Sequence, residues 1–545
     1  MTRRQVPEGW IILGVSSWLA AAGNWPLWRE LHVLGLLEKP AGWALGAVAG
    51  GMVLLLLTAL LGMLAWPRVL RPAAALLLVA AAAGAHFMGS YGVVIDKGML
   101  LNVLQTDRHE AADLVGPAFA LSAGLLAGVP LLLLARCRSR PVGWRAAARR
   151  NLGIVAGSLA LVVLLALAGF QPLASAMRNH KHLRYMVNPL NTVYALGALA
   201  ARPLRQVPQP LLATGLDAHV PPRGDRPPLL LLVVGETGRS DHFALNGYGR
   251  DTTPELRREG VASFRDAWSC GTSTAASLPC MFSPLGRATF EARTRDTEGL
   301  LDVLQHAGMA VLWIDNQSGC KGVCDRVPSV HLARAQDPAL CAGGQCLDGI
   351  LLQGLDRRLA EMPAQQRARG VVLVLHQIGS HGPAYHARSP AAFKRFQPEC
   401  TAANLQECSR QEVVNAYDNS IAYTDHVLAS AIRWLRAVEP QWDTGLLYVS
   451  DHGESLGENN LYLHGLPYGI APDVQKHVPW ITWLSTGLQA RTGVELECLR
   501  QGEVRLTHDH LFHSVLGLMQ VETSAYRVSQ DAYARCAGRN APVLP

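Results

Sequence analysis

Charge is scarce in this chain. Only 17% of its 545 residues are Asp, Glu, Lys or Arg, against 49% hydrophobic residues, and the mean hydropathy is positive. A water-soluble enzyme of this length is ordinarily more polar, so a wholly soluble body is excluded and lipid contact is expected. Cysteine is nearly absent from the first half: of eleven, only Cys137 precedes residue 269. Long apolar runs are missing from the second half and end near residue 175. A chain embedded in lipid throughout is thereby excluded, and the length leaves room for two or three domains.

Five apolar stretches lie in the N-terminal part, near residues 10–27, 43–66, 73–93, 114–135 and 152–170. Each approaches the roughly 20 residues that a bilayer crossing needs. They are apolar all round, whereas core helices of soluble proteins keep a polar face. Basic residues set the orientation. Arg3 and Arg4 precede the first stretch, Arg68 and Arg71 separate the second from the third, and Arg136, Arg138, Arg140, Arg145, Arg149 and Arg150 fill the link from fourth to fifth. These segments share the cytoplasmic side, so five spans deliver everything after residue 170 to the opposite face. The first span serves as an uncleaved signal anchor.

Cysteine placement agrees with that topology. Cys137 falls in the basic cytoplasmic link, and Cys270, Cys280, Cys320, Cys324, Cys341, Cys346, Cys400, Cys408, Cys498 and Cys536 all fall beyond the membrane. An even set in an oxidising compartment reads as disulfides. Close spacing pairs 270 with 280, 320 with 324, 341 with 346 and 400 with 408, which leaves 498 for 536. The spacings do not repeat as those of zinc knuckles do.

These readings divide the chain into a transmembrane domain over 1–172, a connector over 173–226 and a catalytic domain over 227–545. The connector ends in Pro-rich strings, RPLRQVPQP and PPRGDRPP, typical of a surface crossing. Beyond it, short aliphatic runs alternate with helix-length segments. LLLLVV ends in Gly235-Glu236, MAVLWI in Asp315-Asn316, VVLVLHQIGSHG passes His376 to reach His381, and GLLYVS ends in Asp451-His452. HVPWITWL looks like a fifth strand. Such continuous runs predict a mainly parallel sheet covered on both faces, and ligands bind beyond the carboxyl ends of such strands.

Glu236, Asp451 and His452 form a carboxylate–imidazole set of the kind that holds catalytic zinc with one position open. The segment SCGTSTAASLPC offers Thr272, Ser273, Thr274 and Ser277 beside a probable helix N-terminus, which favours anions. A hydroxyl held against a metal ion becomes a nucleophile, and composition does not choose among the four. His381 and His464 sit in glycine-bounded loops and suit a phosphate oxygen, a second metal ion or proton donation. Lys321, in NQSGCKGVC, suits a phosphate as a point charge. His508, Asp509, His510 and His513 read as packing groups. In the outer loop between the third and fourth spans, Asn102, Thr106 and Glu110 recur every four residues and share one helical face, a placement suited to a lipid headgroup.

The strings NVLQT, VVGETGRSDHFALNGYGRDTTP, SCGTSTAASLPCMFS, KGVCDRVP, VLHQIGSHGPAY, NAYDNSIAYTD, SDHGESLGENNLYLHG and HDHLFHSVLG resemble the phosphoethanolamine transferase family, which includes lipid A phosphoethanolamine transferases and mobile colistin-resistance enzymes. The resemblance runs from the first span to near the C-terminus. It implies an N-terminal five-helix transmembrane domain and a C-terminal α/β domain of the alkaline phosphatase/sulfatase-like fold. It implies Thr274 as the nucleophile and Glu236, Thr274, Asp451 and His452 as ligands of one catalytic Zn2+, with a second ion as a variant. It further implies that His381, His464, Lys321, Ser318, Asn102, Thr106 and Glu110 bind substrate. Gln317 occupies a position where relatives vary and is left out.

The implied reaction moves phosphoethanolamine from phosphatidylethanolamine to a lipid A phosphate through Thr274, releases diacylglycerol, and lowers envelope negative charge, with polymyxin resistance as the consequence. Core sugar of lipopolysaccharide or a periplasmic glucan is the alternative acceptor. Membrane lipid is a partner, nucleic acid is not, and a monomer in the bacterial inner membrane is expected. A sulfatase would want Cys or Ser at the nucleophile. A sensor or envelope-binding protein would leave the Glu236, Asp451 and His452 convergence unexplained.

Overall fold

A computed structural model describes residues 4–105, 114–139, 142–201, 210–222, 224–402, 404–501 and 504–538. The chain divides into two compact units, one drawn from Met1–Leu100 and Leu114–Arg205, the other from Leu101–Asp113 and Gln206–Pro545.

The first unit is helical, as lipid demands of a backbone that must satisfy its own polar groups. Among the described residues four helices are long and apolar enough to cross a membrane: Gly42–Met63, Leu70–Tyr91, Pro117–Arg136 and Trp144–Ala168. The first apolar stretch, expected as one span over 10–27, is divided into helices Glu8–Ala21 and Trp25–Val33. The break has a local cause. The Asn24 side chain donates to Leu19 O over 2.8 Å, taking a carbonyl that a continuing helix would use, and Pro26 opens the next helix, where its missing N–H is harmless. Asn188 seals the break: its N–H reaches Asn24 Oδ1 at 2.8 Å and its Nδ2 donates to Gly23 O at 2.8 Å and Ala81 O at 2.6 Å. On the basic side, buried Glu8 meets Arg150 at 2.5 Å, and Arg150 also donates to Ala65 O.

The second unit is built on an eight-stranded sheet. Its strands are β1 (Pro228–Gly235), β2 (Ala262–Trp268), β3 (Ala310–Asp315), β4 (Ser329–His331), β5 (Val371–His376), β6 (Asp443–Ser450), β7 (His477–Leu484) and β8 (Arg505–Thr507), in the order β8-β2-β7-β6-β1-β5-β3-β4. The pairs β6–β1, β1–β5, β5–β3, β3–β4 and β2–β8 are parallel. Strands β1, β3, β5 and β6 are buried along their whole length, because helices cover both faces and no side chain alternates out to water. The run HVPWITWL forms β7, which is antiparallel to both neighbours. Residues 451–476 between β6 and β7 contain no α-helix, so the chain returns through a loop rather than the crossover that a parallel partner needs. Strand β2, absent from the sequence reading, alternates buried and partly exposed residues.

The disulfides are 270–280, 320–324, 341–346, 400–408 and 498–536, and Cys137 is free.

The helix Arg410–Val438 fixes the chain that follows β1. Its fully buried Asp418 accepts from His242 Nδ1 at 2.6 Å, Arg250 at 2.5 Å and the Tyr248 hydroxyl at 2.9 Å. Three donors on one segment therefore depend on one carboxylate. Asp418→Ala should leave Arg250 without its buried partner at a cost of about 3 kcal/mol, which lowers the melting temperature of the purified full-length protein by several degrees. An unchanged melting temperature rules the clamp out.

Candidate active site

Strands β6, β1, β5 and β3 are consecutive neighbours, and their carboxyl ends carry Asp451-His452, Glu236, His376 and Asp315. The register places Ser450 beside Gly235, Val234 beside His376, and Asp315 beside His376. Glu236 Oε1 lies 3.2 Å and Asp451 Oδ2 3.5 Å from His452 Nε2, with all three side chains fully buried. His452 Nδ1 donates to Gly453 O over 2.9 Å, which turns the Nε2 lone pair toward the carboxylates. Asp451 Oδ1 accepts from the backbone N–H of His452 at 2.8 Å and of Thr237 at 3.3 Å. Its other oxygen, like Glu236 Oε1, is buried with no hydrogen-bond donor.

That arrangement demands positive charge. Burial works against an ionised His452, yet Asp451 and Glu236 drive its pKa up to about 10. Burial, followed by the nearby Glu236 charge, raises Asp451 to about 7. Glu236 is held below the usual carboxylate range, against its burial, by the His452 bond and charge. A cation placed among these oxygens would do the work of that proton. Glutamate, aspartate and imidazole donors are zinc ligands, so the residues fit a zinc ion. Among the described residues, Glu236, His452 and His464 also offer ligand atoms within 4.8 Å of one another.

The hydroxyl-rich loop is clamped by the Cys270–Cys280 bridge and runs into the helix Thr274–Met281. Two of the four hydroxyls serve the backbone: Thr272 Oγ1 donates to Leu466 O at 2.6 Å and Ser277 Oγ to Asp451 O at 2.5 Å. Ser273 is the extended residue before the helix. Thr274 Oγ1 donates to Glu236 Oε2 at 2.9 Å and stands 3.5 Å from His452 Nε2. His508, read from sequence as packing, ties the loop to β6: Nδ1 accepts from Cys270 N–H at 3.1 Å and Nε2 donates to Ser450 O at 3.0 Å. Burial lowers its pKa to about 3 and keeps it neutral.

A cavity of about 50 Å³ opens over Thr274 and is lined by Asn102, Gln105, Gln317, Ser318, Lys321, His381 and His464. Lys321 Nζ donates to Ser318 Oγ at 2.9 Å. The His464 ring lies 4.3 Å from that of His452 and 5.7 Å from that of His381. Thr106 and Glu110 lie outside the described residues.

Two groups went unseen in the sequence and a third, Gln317, was left out. Gln317 Nε2 donates to Glu236 Oε2 at 2.7 Å. Its place at the end of a strand, next to Ser318, was the available signal. Glu454 lies 3.2 Å from His464 Nδ1. Burial pushes Glu454 well above the usual carboxylate range and lowers His464 to about 3. Tyr417 braces the Glu236 turn, its hydroxyl accepting from Arg239 N–H at 2.9 Å and donating to Thr237 O at 2.6 Å. Thr237, Lys321 and Leu463 all hold positive φ, at 53°, 51° and 61°. Such strain persists only where the surroundings enforce it. Gly379, at φ 52°, passes so close that a Cβ would sit 2.6 Å from Glu236 O.

Residues 53–204 match the family model described as phosphoethanolamine transferase EptA/EptB, and residues 228–521 match the sulfatase model. The chain is 40% identical to phosphoethanolamine transferase EptA of Salmonella typhimurium over 85% of each chain. It is 37% identical to phosphatidylethanolamine transferase Mcr-1 of Escherichia coli over 95% of this chain and 96% of the relative. The integral membrane lipooligosaccharide phosphoethanolamine transferase A from Neisseria meningitidis superposes with a TM-score of 0.91 at 33% identity, covering 98% of this chain and all of that one. This is a multi-pass inner-membrane protein with its catalytic unit in the periplasm and, among the described residues, one cluster fit for zinc. With its buried metal cluster on a sulfatase-like sheet and its apolar helices in one N-terminal unit, the chain belongs to the phosphoethanolamine transferase family.

Proposed function

We propose that the donor is phosphatidylethanolamine, that the acceptor is a phosphate of lipid A, and that Thr274 carries the phosphoethanolamine group between them. The observation that carries this reading is the Thr274 hydroxyl, held at 2.9 Å by a carboxylate of the metal cluster at the floor of an open cavity. The names of the Escherichia coli and Neisseria relatives support a phosphatidylethanolamine donor and a lipooligosaccharide acceptor respectively.

Glu236, Asp451 and His452 would hold the zinc ion, with Thr274 completing the set. Bound there, it would lower the pKa of the adjoining hydroxyl and offset charge on the phosphoryl oxygens. Glu236 Oε2 accepts the Thr274 proton as Oγ1 attacks phosphorus. The Oγ1–P bond forms as the P–O bond to the glyceride breaks, and diacylglycerol leaves with the proton that Glu236 took. A protonated acceptor phosphate then gives its proton to Glu236 as its oxygen attacks the same phosphorus, and Thr274 departs as the hydroxyl with that proton. Lys321, His381 and His464 contact the phosphoryl group, and pre-set charges of this kind carry most of phosphoryl-transfer catalysis. Asn102, Ser318, Thr106 and Glu110 receive the headgroup. Residues 1–172 form the membrane domain with Glu8–Ala21 as a short fifth crossing, 173–226 the connector, and 227–545 the catalytic domain of a monomer.

Lipid A from cells expressing the chain should gain the mass of one phosphoethanolamine, and the gain should vanish in Thr274→Ala. A gain confined to core sugar moves the acceptor, and a gain surviving Thr274→Ala removes the nucleophile. Gln317→Ala should weaken zinc binding by roughly 10–100-fold, since groups bonded to a metal's ligands tune it to that extent. Chelator competition on the purified protein measures it, and equal affinity discards Gln317 as the carboxylate's holder.

A further inference from the structure

Between Asp113 and Asp217 the chain contains no aspartate or glutamate. Much of that interval is buried in lipid or lies on the cytoplasmic side, where cations are expected. The part after Ala168 is on the periplasmic side, where Lys and Arg are normally depleted near the spans. Three periplasmic cations that precede the interval each sit next to an acid in the chain: Arg29 beside Glu30, Lys39 beside Glu38, Lys97 beside Asp96. Arg178, Lys181 and Arg184 do not.

These three recur every third residue where the helix Phe170–Asn179 passes into the 3-10 turn Lys181–Tyr185. All three are exposed. No carboxylate lies within ion-pair reach of any of them among the described residues. The only nearby acid contact goes to His182, which takes Glu30 at 2.9 Å. Arg184 is held against the Tyr185 ring at 4.9 Å, which fixes the guanidinium without neutralising it. The helix itself is amphipathic. Phe170, Leu173, Ala174 and Met177 form one face, and Gln171, Ser175, Arg178 and Asn179 the other, with Phe170 67% exposed. A helix of this pattern lies in the membrane interface and puts its cations at headgroup depth.

We propose that Arg178, Lys181 and Arg184 form a phosphate-binding row at the periplasmic membrane surface that holds the phosphomonoester of the acceptor lipid. Charge complementarity names the occupant. The zwitterionic donor carries no net charge, a phosphodiester headgroup carries one negative charge, and a phosphomonoester carries close to two. Three uncompensated cations within seven residues favour the last. Calling that lipid the acceptor rests on the reading above.

The test uses the full-length protein in mild detergent, titrated with bisphosphorylated lipid A or with phosphatidylglycerol, and counts retained lipid by native mass spectrometry. The variant Arg178→Gln/Lys181→Gln/Arg184→Gln should retain lipid A about tenfold less or worse and raise KM for lipid A more than it lowers kcat. The variant Arg178→Lys/Arg184→Lys should restore retention. Zinc content and melting temperature, read in parallel, establish that both variants fold. Equal lipid A retention by wild type and triple variant overturns the proposal. So does an equal fall for lipid A and phosphatidylglycerol, which makes the row a general bilayer anchor. A wild type that retains lipid A through this row yet transfers nothing to it supports the row and defeats the acceptor reading alone.

Discussion

Two carboxylates buried side by side without enough protons are the constraint on which the catalytic unit depends. Glu236 and Asp451 share one neighbour, His452 Nε2, 3.2 Å from an oxygen of the first and 3.5 Å from an oxygen of the second. Left alone, such a cluster is a large desolvation cost. It persists because the sheet overdetermines it. Parallel pairing of β6 with β1 brings Ser450 level with Gly235, so the residues that follow leave the sheet together. Tyr417 then braces the turn after Glu236, Gln317 holds its second oxygen, and Gly379 lets the neighbouring chain approach. Each contact restrains the carboxylates against the repulsion that would part them, and a bound cation converts that repulsion into affinity.

The placement of the Thr274 hydroxyl follows from the same constraint. A hydroxyl-rich loop has many ways to offer an oxygen. Here the bridge Cys270–Cys280 and the His508 tie limit the loop to one conformation. Within it Thr272 and Ser277 bond to backbone carbonyls from the strand-end segments they brace, while Thr274 faces the metal cluster. The hydroxyls of Thr272 and Ser277 are engaged by the backbone, and that of Thr274 meets a carboxylate.

Much of this was legible in the chain. Buried parallel strands must be apolar throughout, so LLLLVV, MAVLWI, VVLVLH and GLLYVS announced themselves, and polar residues at their ends marked one edge of the sheet. Burial on both faces erases the alternation that would show strand direction, so HVPWITWL gave no sign that β7 runs against its neighbours. Strand β2, half exposed, is too polar to stand out. The division of the first apolar stretch at Asn24 turns on a side-chain bond to Leu19 O, sealed by Asn188 far along the chain, and hydropathy carries no record of either contact. Gln317 was passed over because a residue's importance to Glu236 is fixed by a bond across the fold, not by its neighbours in sequence.

The two units solve opposite solvation problems with the same residue types. In the catalytic unit, buried charged side chains are gathered into bonded sets, such as Asp418 with His242, Tyr248 and Arg250. In the membrane unit the equivalent sets are few and lie where helices end: Asn24 with Asn188, Glu8 with Arg150. Water no longer competes for their hydrogen bonds there, so each set must be complete within the protein. A chain that keeps its buried charges paired this strictly gives meaning to the ones it leaves unpaired. In the periplasmic unit the uncompensated charge is negative and draws a metal cation. On the segment after the last span it is positive, and among the described residues no carboxylate meets it.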